Sequence, residues 1–165
     1  MPVIQSESGL QEKRIGLETK EGNPILNRQD LFISSFVQSQ FPDYEKNYSR
    51  AIFRSEPTSI YNCHGLSFAS RRTGIHETAE IYKILHEDKY AEVSVKDVLP
   101  GDLVLYFSTN GDIEHSGVVL DSPKDCPMGM PKIYSKWGSF KEAIHYANYC
   151  PKYDPSNLKY YRIKE

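Results

Sequence analysis

We predict an α+β domain, because helical patterns occupy the first half of the chain and short strand patterns occupy the second. Helical periodicity is found up to about Glu87, and after Val93 the apolar residues alternate with polar ones or form short runs between turn signals. Residues 1–23 are polar and glycine-containing, and we predict that they form an N-terminal arm. Residues 24–165 are then a single domain with its own core.

The first predicted helix begins near Pro24, which suits a first helical turn, and ends near Phe41 and Pro42. Its apolar positions approximate a helical stripe and are Leu26, Leu31, Phe32, Ile33, Phe36 and Val37. Residues 42–60 contain prolines and turn-forming residues, and we predict an irregular connection there.

A second helix is predicted to begin at Cys63, because Asn62 is a favourable N-cap residue. Arg71 and Arg72 suit its C-terminal end, and Gly74 suits the position just beyond. A third helix is predicted from Ile75 to Glu87. Its inward-facing positions would be Ile81, Ile84 and Leu85.

We predict that the second half of the chain forms an antiparallel meander, because turn signals such as Asn110-Gly111-Asp112 separate its apolar runs. The predicted strands lie around Val93 and Val95, at 103–107, 113–120, 132–137 and 159–163. Residues 121–131 form a long loop with three prolines, and residues 139–150 fit either a short helix or a strand.

Composition excludes several classes of function. The net charge is −2 with no basic block, so we expect no nucleic-acid partner, and no stretch is apolar enough to span a membrane. The start of the chain lacks a Sec-type signal, so we expect synthesis in the cytoplasm; a signal-less export route would leave no sequence mark. The three cysteines do not form a disulfide framework, although a Cys126–Cys150 bridge stays open, and their spacing argues against a zinc site.

Cys63 and His115 are the candidate catalytic pair. A thiol at a helix N-terminus is stabilised as thiolate by the helix dipole and the unpaired N–H groups, and Gly65 would leave room for a substrate. His115 lies at the start of a predicted strand, where a rigid element would present an imidazole as general base. Each residue alone also fits a structural role, since free cysteine is often buried. His64, His76 and His86 fit structural roles better, with His76 and His86 on a polar helix face.

A third group would orient the His115 ring. Antiparallel pairing of 113–120 with 132–137 would bring His115 opposite the Ser135–Trp137 end, which makes Ser135 a candidate and His145, just beyond, another. Lys136 is the least suitable, because a cation next to an imidazolium is repulsive. A metal site formed by Cys63, His115 and His145 is a weaker alternative.

Three segments resemble the NlpC-type papain-like cysteine hydrolases and the related CHAP amidohydrolases. Residues 62–65, Asn-Cys-His-Gly, resemble the Asp-Cys-Ser-Gly motif; residues 99–106 resemble the Pro-Gly-Asp-Leu-Val-Phe-Phe strand; and residues 115–120 resemble the His-Val-Gly-Ile-Tyr strand. Residues 133–135 lie where the family has its third polar residue. The chain departs from the family at Asn62, at His64 and at this third position.

The resemblance implies a papain-like NlpC-type fold, with the nucleophile helix packed on an antiparallel sheet that carries the histidine. It implies cleavage of an amide or peptide bond through an acyl-enzyme, with Cys63 as nucleophile, His115 as base and no cofactor. Peptidoglycan stem peptides are one implied substrate. The chain shows no wall-targeting repeat, which favours an effector-type amidase, for which a protein inhibitor is an expected partner, or a hydrolase of another amide.

Two alternatives stay open at this point. An acyltransferase would use the same Cys–His pair, and a binding module would use a tyrosine-rich groove with Trp137 and an inert cysteine. The chain has 12 tyrosines, whose apolar rings and polar tips suit such a groove. We predict Asn62, His64 and Trp137 as substrate-binding residues.

Overall fold

The computed structural model describes residues 3–5, 11–151 and 156–164, and within them the α+β prediction is confirmed. The helices are α1 (Ser35–Gln38), α2 (Phe41–Asn47), α3 (Cys63–Phe68) and α4 (Thr78–Glu87). The strands are β1 (Val3–Gln5), β2 (Gln11–Lys13), β3 (Gln29–Asp30), β4 (Ile52–Arg54), β5 (Tyr90–Val93), β6 (Leu103–Phe107), β7 (Ile113–Asp121), β8 (Lys132–Lys136), β9 (Glu142–Tyr146) and β10 (Leu158–Ile163). None of the helices in these ranges is long and apolar enough to cross a membrane.

Seven strands form one antiparallel sheet in the order β4-β9-β8-β7-β6-β10-β5. Strands β6, β7 and β8 are predicted strands of the meander, β9 continues it, and β10 returns to pair between β6 and β5. A β-bulge separates the pair Tyr106–His115 from the pair Phe107–Ile113. Such a bulge re-aims neighbouring side chains. The remaining strands, β1 to β3, form a separate small sheet.

Both faces of the large sheet are covered, which explains why every residue of β6 is buried. On one face, α3 and α4 pack over β6 and β7, with Ile81, Ile84 and Leu85 in the core as predicted. On the other face a second core contains Val104, Tyr106, Val119, Ile133 and Tyr160. Period-2 alternation along β6 therefore assigns Leu105 and Phe107 to the first core and Val104 and Tyr106 to the second.

A third cluster is almost entirely aromatic and lies near β9, at one end of the sheet. Trp137 is at its centre, with Tyr44, Tyr48 and Phe53 at ring-centroid distances of 5.9, 5.2 and 5.1 Å. Aromatic pairs at these spacings contribute beyond their buried area. Helix α2 supplies Tyr44, so the predicted irregular connection 42–60 contains part of a helix and the strand β4.

The predicted helix from Pro24 to Phe41 is wrong. The chain there forms β3 and the short helices α1 and α2, and the supposed inward stripe includes Phe32 and Phe36, which are 56% and 74% exposed. Distant pairing overrides the local pattern: Arg28 and Gly74 form a β-bridge, and Asn27 bonds the backbone of Ile15. Gly74 is thus a bridge residue rather than the residue that ends α3.

The predicted arm, residues 1–23, includes residues 1–2 and 6–10, which lie outside the described residues. In the described part, β1 and β2 belong to the small sheet, and Thr19 is buried and donates to Glu87 at the end of α4.

Several predicted boundaries shift. Helix α4 begins at Thr78, so His76 precedes the helix instead of lying on its polar face. Helix α3 ends at Phe68, and Arg71 lies in the following turn with a φ of 65°. Val95 begins a 3-10 turn after β5, and residues 142–146 of the ambiguous 139–150 segment are strand β9.

Candidate functional site

Asn62 fixes the start of α3 and with it the position of Cys63. Its side-chain oxygen accepts from Gly65 N at 2.9 Å, as an N-cap does, and also from Ile75 N at 3.1 Å. Its amide nitrogen donates to Ile75 O at 2.7 Å. The cap predicted from sequence is therefore confirmed, and the same side chain ties the helix start to the segment before α4.

Gly65 has a different role from the one predicted. A Cβ at this position would lie 1.9 Å from the carbonyl oxygen of Thr73, so the glycine permits close backbone packing rather than substrate access. Gly117 on β7 is similar, since a Cβ there would meet Tyr134 O at 2.9 Å and Ser135 Cβ at 3.2 Å. Gly65 thus lets α3 approach the backbone at Thr73, and Gly117 lets β7 and β8 approach closely.

The Cys63 thiol lies within hydrogen-bonding reach of two imidazoles, those of His115 and His64. Burial alone would raise the pKa of Cys63, but the charges and hydrogen bonds of His64 and His115 outweigh it and bring the pKa well below its ordinary value. The predicted meeting of helix thiol and strand imidazole therefore occurs. His115 is fully buried on β7, and its ring lies at an angle to that of Tyr106 at 5.0 Å.

His64 has more than the structural role that its sequence position favours, because its ring interacts with the thiol. Its Nε2 donates to Ile113 O at 3.1 Å, and its Nδ1 lies 2.8 Å from Ser116 Oγ. Burial works against the charged ring, but Cys63 reverses this effect and the pKa of His64 is raised. The side chain thus joins the first turn of α3 to β7, and its raised pKa favours a positive charge next to the thiol.

The two candidates for the third group, Ser135 and His145, form one hydrogen-bonded unit. His145 Nδ1 lies 2.8 Å from Tyr146 O and must donate to that carbonyl, so His145 Nε2 accepts from Ser135 Oγ at 2.7 Å. Trp137 Nε1 donates to the same Ser135 oxygen at 3.1 Å. Burial, with the charge of His115, lowers the pKa of His145 to about 4, so this ring is neutral at physiological pH.

A buried carboxylate that we did not predict ties β9 to the site. Glu142 accepts from Tyr61 Oη at 2.5 Å and from Arg71 Nε at 2.6 Å, and Arg54 adds a third contact at 3.1 Å. Although burial acts in the opposite direction, Arg71 and Tyr61 hold the pKa of Glu142 below its usual range. This network fixes Tyr61, two residues before the thiol; no local sequence pattern indicated it.

The thiol opens onto a cleft of about 1210 Å³. One wall contains Ser59, Tyr61, Gly138 and Ser139, and the residues around Ile113 and the start of α4 also line the cleft. Asn62, Cys63 and His64 lie along it, together with His76, which sequence reasoning had assigned to a helix face. A cleft of this size would admit a peptide-like substrate up to Cys63.

The structure brings Cys63, His115 and His64 together, and the charge of His115 acts on His145, which is hydrogen-bonded to Ser135. Trp137 packs in the aromatic cluster and, in the described part of the chain, is not among the cleft-lining residues. Cys63, Cys126 and Cys150 are all free thiols, so the Cys126–Cys150 bridge is not formed. Cys63, His115 and His145 do not come together as metal ligands, and among the described residues we find no group of three that does.

Comparison with known proteins found no family model, no curated protein and no solved structure that matches the chain. The site must therefore be interpreted from its own geometry.

Proposed function

We propose that the protein is a cysteine hydrolase that cleaves an amide or peptide bond through an acyl-enzyme. The observation that carries this proposal is the Cys63 thiol, which begins α3 at a cleft and has two imidazoles within hydrogen-bonding reach. Two positive partners favour the thiolate, which is the nucleophilic form. Perturbed titratable groups gathered in one cleft are typical of catalytic sites.

In the first step the Cys63 thiolate attacks the substrate carbonyl, and the carbonyl π electrons move onto oxygen. First-turn N–H groups of α3 stabilise that oxyanion. As the C–N bond breaks, the His115 imidazolium transfers its proton to the leaving amine. His115 then takes a proton from water as the water oxygen attacks the thioester. The C–S bond breaks, the acid product leaves, and the Cys63 thiolate and His115 imidazolium are restored.

The Ser135–His145 unit supports His115 as a neutral partner. Because the pKa of His145 is about 4, its ring can lie close to an imidazolium without adding a second positive charge at neutral pH. We therefore propose that Ser135 and His145 together support the His115 ring. The cysteine hydrolases that the sequence resembles use a single third polar residue for this purpose.

The NlpC- and CHAP-like assignment is part of the proposal. It is supported by α3, which carries the thiol and packs on β7, which carries His115. Peptidoglycan stem peptides are the first substrates to test. Capture of the acyl-enzyme by an amine would make the protein a transferase, whereas the binding module that used Trp137 is disfavoured because Trp137 packs in the aromatic cluster.

The test is incubation of wild type, Cys63→Ala and Cys126→Ser with peptidoglycan fragments and a general dipeptide-amide library, read by mass spectrometry. We expect cleavage that needs Cys63 and is retained by Cys126→Ser, the thiol control. Addition of a primary amine separates hydrolysis from transfer by product mass. A wild type that cleaves no member of either set beyond the Cys63→Ala background would contradict the proposal.

A further inference from the structure

Lys136 is a fully buried cation for which the proposed chemistry has no use. It lies on β8, and its Nζ donates to Thr58 O at 2.7 Å and to Gly138 O at 2.6 Å. The ring of Tyr61 lies 5.1 Å from the same ammonium. Burial of an ammonium is costly unless it is well paired, so these contacts indicate a specific role.

Lys136 keeps its positive charge at neutral pH. Burial lowers the pKa of Lys136 to about 8, while the negative charges of Glu142 and Cys63 act in the opposite direction. Lys136 is therefore mostly protonated at pH 7, and both carbonyl contacts are made to a cation.

The two carbonyls determine where two backbone N–H groups point. In a trans peptide the C=O and N–H bonds are antiparallel, and no cis peptide is present in the described residues. Because Thr58 O and Gly138 O point inward to Lys136, the N–H groups of Ser59 and Ser139 point away from it. Ser59 and Ser139 both line the cleft.

These two N–H groups belong to neighbouring residues and are available to a ligand. Ser59 Oγ donates to Ser139 Oγ at 2.7 Å, which holds the two segments together. Within the part of the chain that the structure describes, neither N–H donates to a protein acceptor. Gly138, with a φ of 60°, adopts the left-handed conformation that turns the chain back after β8.

We propose that the N–H groups of Ser59 and Ser139, held in place by Lys136, form a subsite that binds a carbonyl or carboxylate oxygen of the substrate. Lys136 is a positioning residue here, because it acts through the peptide groups and does not touch the substrate. Its charge polarises both peptide groups, which strengthens their N–H donors. Paired backbone N–H groups of this kind bind anionic or carbonyl oxygens in other folds.

This inference rests on the proposed function, because the subsite lies in the same cleft as Cys63. It extends that function by naming what the cleft recognises: a substrate with an oxygen acceptor on the Ser59–Ser139 side of the reacting bond. An internal peptide carbonyl and a terminal carboxylate share this chemistry.

The probes for the test are chloroacetyl-glycyl-glycine, its C-terminal amide, and N-butyl-chloroacetamide, which lacks the distal oxygens. Each alkylates Cys63, and saturation kinetics separate the binding constant KI from the maximal rate kinact. We expect wild type to bind both glycyl-glycine probes more tightly than the butyl probe. A stronger preference for the acid than for the amide identifies a terminal carboxylate, and equal binding identifies an internal carbonyl.

The variants are Lys136→Met, which removes the two carbonyl contacts, and Ser139→Pro, which removes one N–H at a residue whose φ is not positive. We expect each to raise KI for the glycyl-glycine probes about tenfold and to leave KI for the butyl probe unchanged. Ser139→Pro should also leave kinact unchanged, whereas Lys136→Met removes a charge that acts on Cys63 and should change kinact equally for all three probes. Ser139→Ala is the matched control, because it keeps the N–H and loses the hydroxyl. If Lys136→Met does not fold, the comparison of Ser139→Pro with Ser139→Ala still tests the subsite.

The outcomes separate the two proposals. Alkylation no faster than that of a free thiol with every probe contradicts the proposed hydrolase. Fast alkylation with equal KI for all three probes, or variants that change kinact and not KI, overturns the subsite and leaves the hydrolase intact.

Discussion

We predict that acid destabilises the protein through His145, because this histidine is buried with a neutral ring. Its folded-state pKa of about 4 is below the ordinary value of 6.5, so between these values the unfolded chain binds the proton and the folded protein does not. The contribution of neutral His145 is present above pH 6.5 and is lost as the pH falls toward 4. Because a shift of one pKa unit corresponds to about 1.36 kcal/mol, the free energy of unfolding should fall by about 2 kcal/mol between pH 7 and pH 5.

Urea unfolding of wild type and His145→Gln at pH 7, 6 and 5 measures this loss. Glutamine cannot titrate, so we expect the stability difference between the two proteins to change by about 2 kcal/mol across that range, with wild type losing more. His86→Gln is the control, because His86 is an exposed histidine on α4. Parallel pH dependence of wild type and His145→Gln would refute the buried neutral ring.

Two further predictions concern the start of α3. Gly65→Ala places a Cβ 1.9 Å from Thr73 O, and we expect a loss of about 1–3 kcal/mol in urea unfolding despite the better helix propensity of alanine. Gly16→Ala is its control, since nothing lies within 4 Å of a Cβ there, and equal stability of the two variants would contradict the close approach. Asn62→Ala removes the cap and the contacts with Ile75, and we expect a loss of about 1–3 kcal/mol by the same measurement. Asn62→Asp keeps the oxygen acceptor and should recover part of that stability, while its added negative charge raises the pKa of Cys63. A thiol pKa unchanged by Asn62→Asp would count against a thiolate at the first residue of α3.

The parts of the fold that sequence predicts well depend on local chemistry. Asn62 caps α3 through its own side chain, and the turn at Gly111, with a φ of 88°, needs a glycine. The strands that carry His115 and Ser135 follow from apolar runs between such turns. Cys63 and His115 meet because both elements begin where these local signals place them.

The parts that sequence predicts poorly depend on distant partners. Phe32 and Phe36 satisfy a helical period, yet both are exposed, because Asn27 and Arg28 pair with residues far along the chain. Strand β9 is ambiguous from sequence because only β8 is its neighbour along the chain, while its other partner, β4, comes from the first half of the chain. Tertiary pairing overrides local propensity in both cases.

Lys136 and Glu142 show the same limit for the site. Alternation along β8 places Lys136 on the same face as Lys132 and Tyr134, opposite the buried Ile133 and Ser135, so no local pattern indicates that this cation is buried. Its two carbonyl partners come from separate loops, and only the assembled fold identifies them. Glu142 likewise depends on Tyr61 and Arg71 from the other half of the chain.

The ionisation of Cys63 tests the central claim most directly. The measurement is the rate of iodoacetamide labelling at Cys63 against pH in wild type and His115→Ala, with peptide mapping to separate Cys63 from Cys126 and Cys150. We predict that the wild-type thiol titrates well below the ordinary value of about 8.5, and that His115→Ala raises this pKa and slows labelling at pH 6. Labelling of Cys63 that follows a free thiol at every pH, with or without His115, would contradict the account.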